Sequence, residues 1–140
     1  MPRVQGSKGP RVDGCILCSF MSPTPKPPYD FQERATQFAA NVRVFIKKIP
    51  RTLGNSVDGK QLIRSSGSIG ANYAEAGEAL SKKDALKSLR IARKEAKESV
   101  HWLRLLEVQA AEQEQEREAL IAEVWELVRI LTSMIKKVEK

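Results

Sequence analysis

Helical hydrophobic periodicity, capping signals at the helix starts and short connections predict an all-α protein, an antiparallel up-and-down four-helix bundle over residues 29–140. The composition agrees: 41% of the 140 residues are hydrophobic but only 6% aromatic, which suits a core of Leu, Ile, Val and Ala. One domain is the expectation for this length.

Residues 1–28 are rich in Gly, Pro and Ser, and the run ending at Pro28 cannot propagate a helix, so this segment reads as a disordered tail. Met21, just before that run, is a candidate translation start that would leave residues 1–20 out of the mature protein. Cys15 and Cys18 lie in the tail; with no second cysteine pair and one histidine in the chain, neither a zinc site nor a disulfide framework is expected.

The first helix is predicted from Asp30, an N-cap with Glu33 three residues on, to near Lys48, because Pro50 disfavours helical geometry at the residue before it. Phe31, Ala35, Phe38, Val42, Phe45 and Ile49 line its inner face. A loop with Gly54, Asn55 and Gly59 leads to a second helix, starting between Asn55 and Asp58 and running to about Leu80. Leu62, Ile63, Ile69, Tyr73 and Leu80 fit its period. Its middle, Ser65 to Ala71, is made of small residues, and each Gly there costs about 1 kcal/mol relative to Ala, which points to a closely packed neighbour.

Ser81 and Asp84 form a second capping box and open a third helix, from about Lys82 to Ala110, with Ala85, Leu89, Ala92, Ala96, Ser99, Leu103 and Leu106 inward. Glu112 to Glu118 reads either as a turn or as a polar first turn. Leu120, Val124, Leu127, Leu131, Met134 and Val138 define the fourth helix, with Lys136 and Lys137 at the negative end of its dipole.

The net charge of +7 is uneven: the first sixty residues carry ten Lys/Arg against four Asp/Glu, while residues 111–140 carry five against seven. Its sharpest expression is a row on the third helix, Lys83, Lys87, Arg90, Lys94, Lys97, His101 and Arg104, whose steps of three and four place them on one face. Surfaces usually mix signs, so a single-sign row of roughly 30 Å suggests phosphate contacts with RNA or DNA. Glu95, Glu98 and Glu107 flank the row and are expected to neutralise part of it. Trp102, Trp125, Tyr29 and Tyr73 are spaced like core or subunit-contact residues rather than a stacking platform, so readout of shape over sequence is expected.

Catalytic readings are weaker. Glu98 and His101 make Glu-x-x-His, but di-metal bundles need that motif twice and the chain has one histidine. Asn72 and Glu75 share a face and, if buried, would form a polar network; Glu75 with Glu78 as acid and base lacks any accompanying nucleophile, phosphate loop or metal set. Neither enzymatic activity nor a metal or cofactor is expected. No apolar run reaches the roughly 18 residues of a membrane span, and no secretory h-region opens the chain, so a cytoplasmic protein without membrane contact is expected.

The run Gln61 to Ala76, followed by Ser81 to Asp84 and Leu89 to Ala92 with Glu95 beyond, resembles the 23S rRNA-intervening-sequence proteins. An Arg-Ser-x-x-Ser-Ile-x-x-Asn-x-x-Glu pattern carries the likeness, matched by Arg64, Ser65, Ser68, Ile69, Asn72 and Glu75; Ala76 stands where many members have Gly. The resemblance covers about Tyr29 to Lys140. It implies an up-and-down bundle assembling as a homo-oligomer, a pentameric ring in related proteins. Some members of the family that the chain resembles are encoded inside large-subunit ribosomal RNA genes, a related branch serves as accessory proteins that bind a reverse transcriptase and nucleic acid in diversity-generating retroelements, and free-standing members have no firmly assigned activity. The preferred expectation is a nucleic-acid-binding oligomer. The alternative is a protein-interaction scaffold or accessory subunit whose oligomer docks another protein, with the basic row providing only solubility. For the oligomer itself, Ile91, Trp102, Leu105 and the small-residue face of the second helix are the expected subunit contacts.

Overall fold

A computed structural model describes residues 30–140 of the chain; the expected tail 1–28, Met21, the Cys15–Cys18 pair and Tyr29 lie outside the described residues. Four helices follow one another: α1 (Phe31–Lys48), α2 (Leu53–Gly77), α3 (Lys82–Leu105) and α4 (Ala111–Glu139), with no strand among the described residues. They form a four-helix bundle in which α1 packs on α2 and α4, and α3 on the same two, with α2 and α3 sharing the most extensive contact.

The inner faces are those the periodicity predicts. Phe38, Val42 and Phe45 of α1, Leu62 and Ile69 of α2, Leu89 and Leu103 of α3, and Val124, Leu127 and Leu131 of α4 are fully enclosed in one core. Caps define the starts. Asp30 accepts the Gln32 N–H at 3.0 Å, Thr52 the Asn55 N–H at 3.0 Å, and Ser81 the Asp84 N–H at 3.1 Å, each satisfying a donor that has no partner within its helix.

Several boundaries differ from the sequence reading. Thr52 caps α2, so the helix begins at Leu53 and Asn55 lies inside its first turn. At its other end α2 stops at Gly77, where the Glu78 N–H turns back onto the Glu75 carbonyl, and Leu80 is 94% exposed instead of continuing the inner face. The third helix ends at Leu105, short of Ala110, because long-range partners capture the backbone beyond it. The Asn55 side chain accepts the Glu107 N–H at 2.8 Å and donates to the Glu107 carbonyl at 2.9 Å, while Arg117 donates to the Leu106 carbonyl. The polar stretch Glu112 to Glu118 is the opening of α4, with Gln113 tying its start to the Gln109 N–H and the Lys48 carbonyl.

Asn55 is 5% exposed and also donates to the Pro50 carbonyl at 2.9 Å, so one amide joins the α1–α2 connection to the α3–α4 connection. Farther along the α2–α3 contact, Ser65 and Ser99, both fully buried, meet at 2.8 Å between their Oγ atoms. Ser99 Oγ lies 3.0 Å from the Glu95 carbonyl, so a chain in which Ser65 donates to Ser99 and Ser99 donates to Glu95 satisfies both hydroxyls. Against α1, the close approach expected of the small-residue stretch occurs at Gly70. Gln32 Nε2 donates to its carbonyl at 3.2 Å, and a Cβ there would come within 3.0 Å of that nitrogen and 3.5 Å of the Ala35 Cβ. At Gly67 the nearest atom to such a Cβ is Arg43 Nη2 at 3.7 Å, an ordinary contact.

Replacing Asn55 with Ala removes the partner of three part-buried backbone groups and is expected to lower unfolding stability by roughly 1–3 kcal/mol, measured by urea denaturation. In the same assay Gly67→Ala is expected to gain about 0.5–1 kcal/mol from helix propensity. Gly70→Ala gains less, because its new methyl displaces the Gln32 amide.

Candidate nucleic-acid interface

The Ala and Leu residues of α3 turn inward and leave the basic row outside. Lys83, Lys87, Arg90, Lys94, Lys97, His101 and Arg104 are all exposed, so the structure brings the seven predicted residues onto one open face. Arg90 is held by Glu139 of α4 at 2.9 Å. Lys83, Lys87, Lys94, Lys97 and Arg104 have no carboxylate within 4.0 Å among the described residues. His101 stands edge-on to Trp102, ring centres 4.8 Å apart. An open groove of about 490 Å³ runs between the side chains of Arg90, Arg93, Lys94, Lys97, Glu98 and His101.

Arg93 is a cation that the row omitted. It follows Arg90 by three residues, a spacing that could have found it, and its Nη1 lies 3.5 Å from Thr132 Oγ1 of α4. None of the three flanking acids expected to neutralise part of the row pairs with one of its cations among the described residues. Arg64 of α2 reaches Glu95 at 3.3 Å and Glu98 at 2.9 Å, so a cation from the neighbouring helix engages these carboxylates. Glu107 is exposed, and its backbone rather than its side chain is engaged, by Asn55.

The motif residues divide by burial. Ser65 and Ile69 are enclosed at the helix contacts. Ser68 donates to the Arg64 carbonyl at 2.8 Å, and Asn72 to the Ser68 carbonyl at 2.8 Å, both within α2. Glu75 and Glu78 are exposed, so the conditional Asn72–Glu75 network does not form and the two glutamates share no enclosed site. No group of three His, Cys, Asp or Glu suited to a metal exists among the described residues, and Glu98 of the Glu-x-x-His pair faces Arg64. Ile91 and Trp102 are half-buried and Leu105 is half-exposed; the Trp102 Nε1 is enclosed without a hydrogen-bond partner. Trp125, spaced like a core or subunit-contact residue, is 46% exposed. No helix among the described residues is long and apolar enough to cross a membrane.

Fold and face together define a four-helix bundle with one predominantly cationic helix surface. The chain belongs to the 23S rRNA-intervening sequence protein family, whose sequence pattern matches residues 29–133. A crystal structure described as a protein with unknown function from the S23 ribosomal protein family of Bacteroides thetaiotaomicron VPI-5482 is similar at 35% identity and a TM-score of 0.66. The similarity covers 76% of this chain and 95% of that one. Comparison with proteins of curated function gives no match.

Arg64 is about half exposed, so its ion pairs contribute little to folding, but they hold two carboxylates away from the row. Arg64→Met is therefore expected to cost less than about 1 kcal/mol in urea denaturation. It should nevertheless elute from heparin at lower salt than Arg64→Lys, which retains a cation beside Glu95 and Glu98.

Proposed function

We propose that this protein is a non-enzymatic, cytoplasmic, homo-oligomeric module that binds RNA or DNA through the outer face of α3. One observation carries the reading: five exposed cations in register along one helix, Lys83, Lys87, Lys94, Lys97 and Arg104, have no carboxylate partner among the described residues. Maintaining like charges at successive turns is mildly unfavourable in the free protein and becomes favourable beside a polyanion. Contacts of this kind meet phosphates, so they position the protein without selecting a sequence.

The bundle is read as antiparallel and up-and-down. Support comes from the reversed order of cross-helix pairs, Asn55 with Glu107 and Arg64 with Glu95 and Glu98 between α2 and α3, then Arg34 with Glu123 and Lys48 with Glu116 between α1 and α4. Assembly as a homo-oligomer, with a pentameric ring as the expected form, is supported by exposed Leu53, Val57 and Leu105, and by an open groove of about 410 Å³ between α1 and α2 floored by Ala39, Gly67 and Gly70. Those same exposed apolar residues favour a second reading. In it the oligomer is a scaffold or accessory subunit docking another protein, such as a reverse transcriptase, and the α3 charges keep it soluble.

Fluorescence anisotropy with a labelled structured RNA and a labelled DNA duplex across a salt series separates the two readings. If all five free cations meet phosphates, the log–log salt slope on duplex DNA is about −4 to −5. A variant with Lys87, Lys94, Lys97 and Arg104 changed to Glu should lose binding while keeping its fold by circular dichroism. Absence of wild-type binding at low salt would sink the nucleic-acid reading, and a monomer mass by light scattering at micromolar concentration would sink the oligomer.

A further inference from the structure

Trp125 is the one large aromatic exposed among the described residues, and its position on the bundle gives it a use that the basic row alone does not have. Thr132 lies seven residues farther along α4, two helical turns on nearly the same flank, and Thr132 meets Arg93 of α3 at 3.5 Å. Another tie between the α3 and α4 segments, from Arg117 to the Leu106 carbonyl, lies on the opposite side of Trp125 along α4. Between the two ties, moving back from Thr132 to Trp125 on α4 corresponds to moving forward from Arg93 toward Val100 on α3. Trp125 is thereby level with Lys97, His101 and Arg104, at the edge of α4 that borders the cationic face.

Its surroundings on α4 do not form an apolar docking patch. Ala122 and Arg129, three and four residues away, are exposed, and Arg129 pairs with Glu126 at 3.3 Å. Ile121 is half-buried and packs toward the core. A single indole bordered by the small Ala122 and the Arg129–Glu126 pair, and beside unpaired cations, matches the two groups that a single strand presents, a phosphate and an unstacked base, better than it matches an incoming helix, which needs a contiguous apolar strip. In a duplex the base faces are already stacked on one another and closed to the indole.

We infer that Trp125 is a base-stacking site for single-stranded nucleic acid whose backbone runs along Lys94, Lys97 and Arg104. This rests on the proposed nucleic-acid reading of α3 and deepens it by naming the strand state. His101, edge-on to Trp102, borders the same path.

The test uses the full chain with a labelled twelve-nucleotide oligouridine and a labelled RNA duplex of equal length. Trp125→Ala is expected to weaken single-strand binding about 10-fold or more and duplex binding less than about 2-fold, with Trp125→Phe restoring most of the loss because it keeps a π-face. In Trp102→Phe, where Trp125 is the remaining indole, the oligouridine should quench its emission at saturation. Single-strand affinity equal to wild type in Trp125→Ala, or no quenching, overturns the stacking site while leaving the α3 reading standing. Failure of wild type to bind either probe overturns both. Loss of self-association in Trp125→Ala with unchanged single-strand affinity overturns the inference and makes the indole a subunit contact.

Discussion

The carboxamide of Asn55 is the interaction on which the rest of the arrangement depends. It is enclosed in the first turn of α2 and bonds to Pro50 on one side and to both backbone groups of Glu107 on the other. An asparagine supplies both donors and an acceptor in one plane, a combination that aspartate and leucine of similar size lack. By capturing Glu107 it ends α3 and turns the chain toward α4. It also fixes how α2 slides along α3, because a shift of one residue would rotate its partners away.

That register has consequences two and three turns farther on. With Asn55 opposite Glu107, Ser65 falls opposite Ser99 and Arg64 opposite Glu95 and Glu98. The serines allow the two backbones to approach while their hydroxyls satisfy one another, as an enclosed polar pair must. Arg64 binds two of the carboxylates nearest the cationic row. A residue of the family-like motif thereby acts on the charge of a surface to which it does not itself belong, linking bundle packing to the electrostatics of α3.

The cationic face gains its character from what its neighbours leave unpaired as much as from its own composition. Glu139 engages Arg90 and Arg64 engages Glu95 and Glu98, so the unpaired charge concentrates on Lys83, Lys87, Lys94, Lys97 and Arg104. Exposed ion pairs contribute little stability, so these pairings matter more for the potential outside the protein than for its folding. Trp125 adds a flat apolar surface at the border of that potential.

Local spacing alone determined which residues form helices, which faces turn inward, and that seven basic residues share one side of α3, since each follows from a period of 3.6 residues and needs no knowledge of the neighbours. The Arg64-to-Glu75 pattern likewise carried the family. Tertiary structure decided the ends of α2 and α3, where Glu78 turns back and Asn55 reaches across 52 residues of sequence to Glu107. It also decided which cations stay unpaired and, where the spacing of Trp125 allowed either a core or a subunit-contact position, that the indole is exposed. These depend on partners distant in the chain, and a hydrogen bond or ion pair between such partners leaves no periodic trace in the sequence that encodes it.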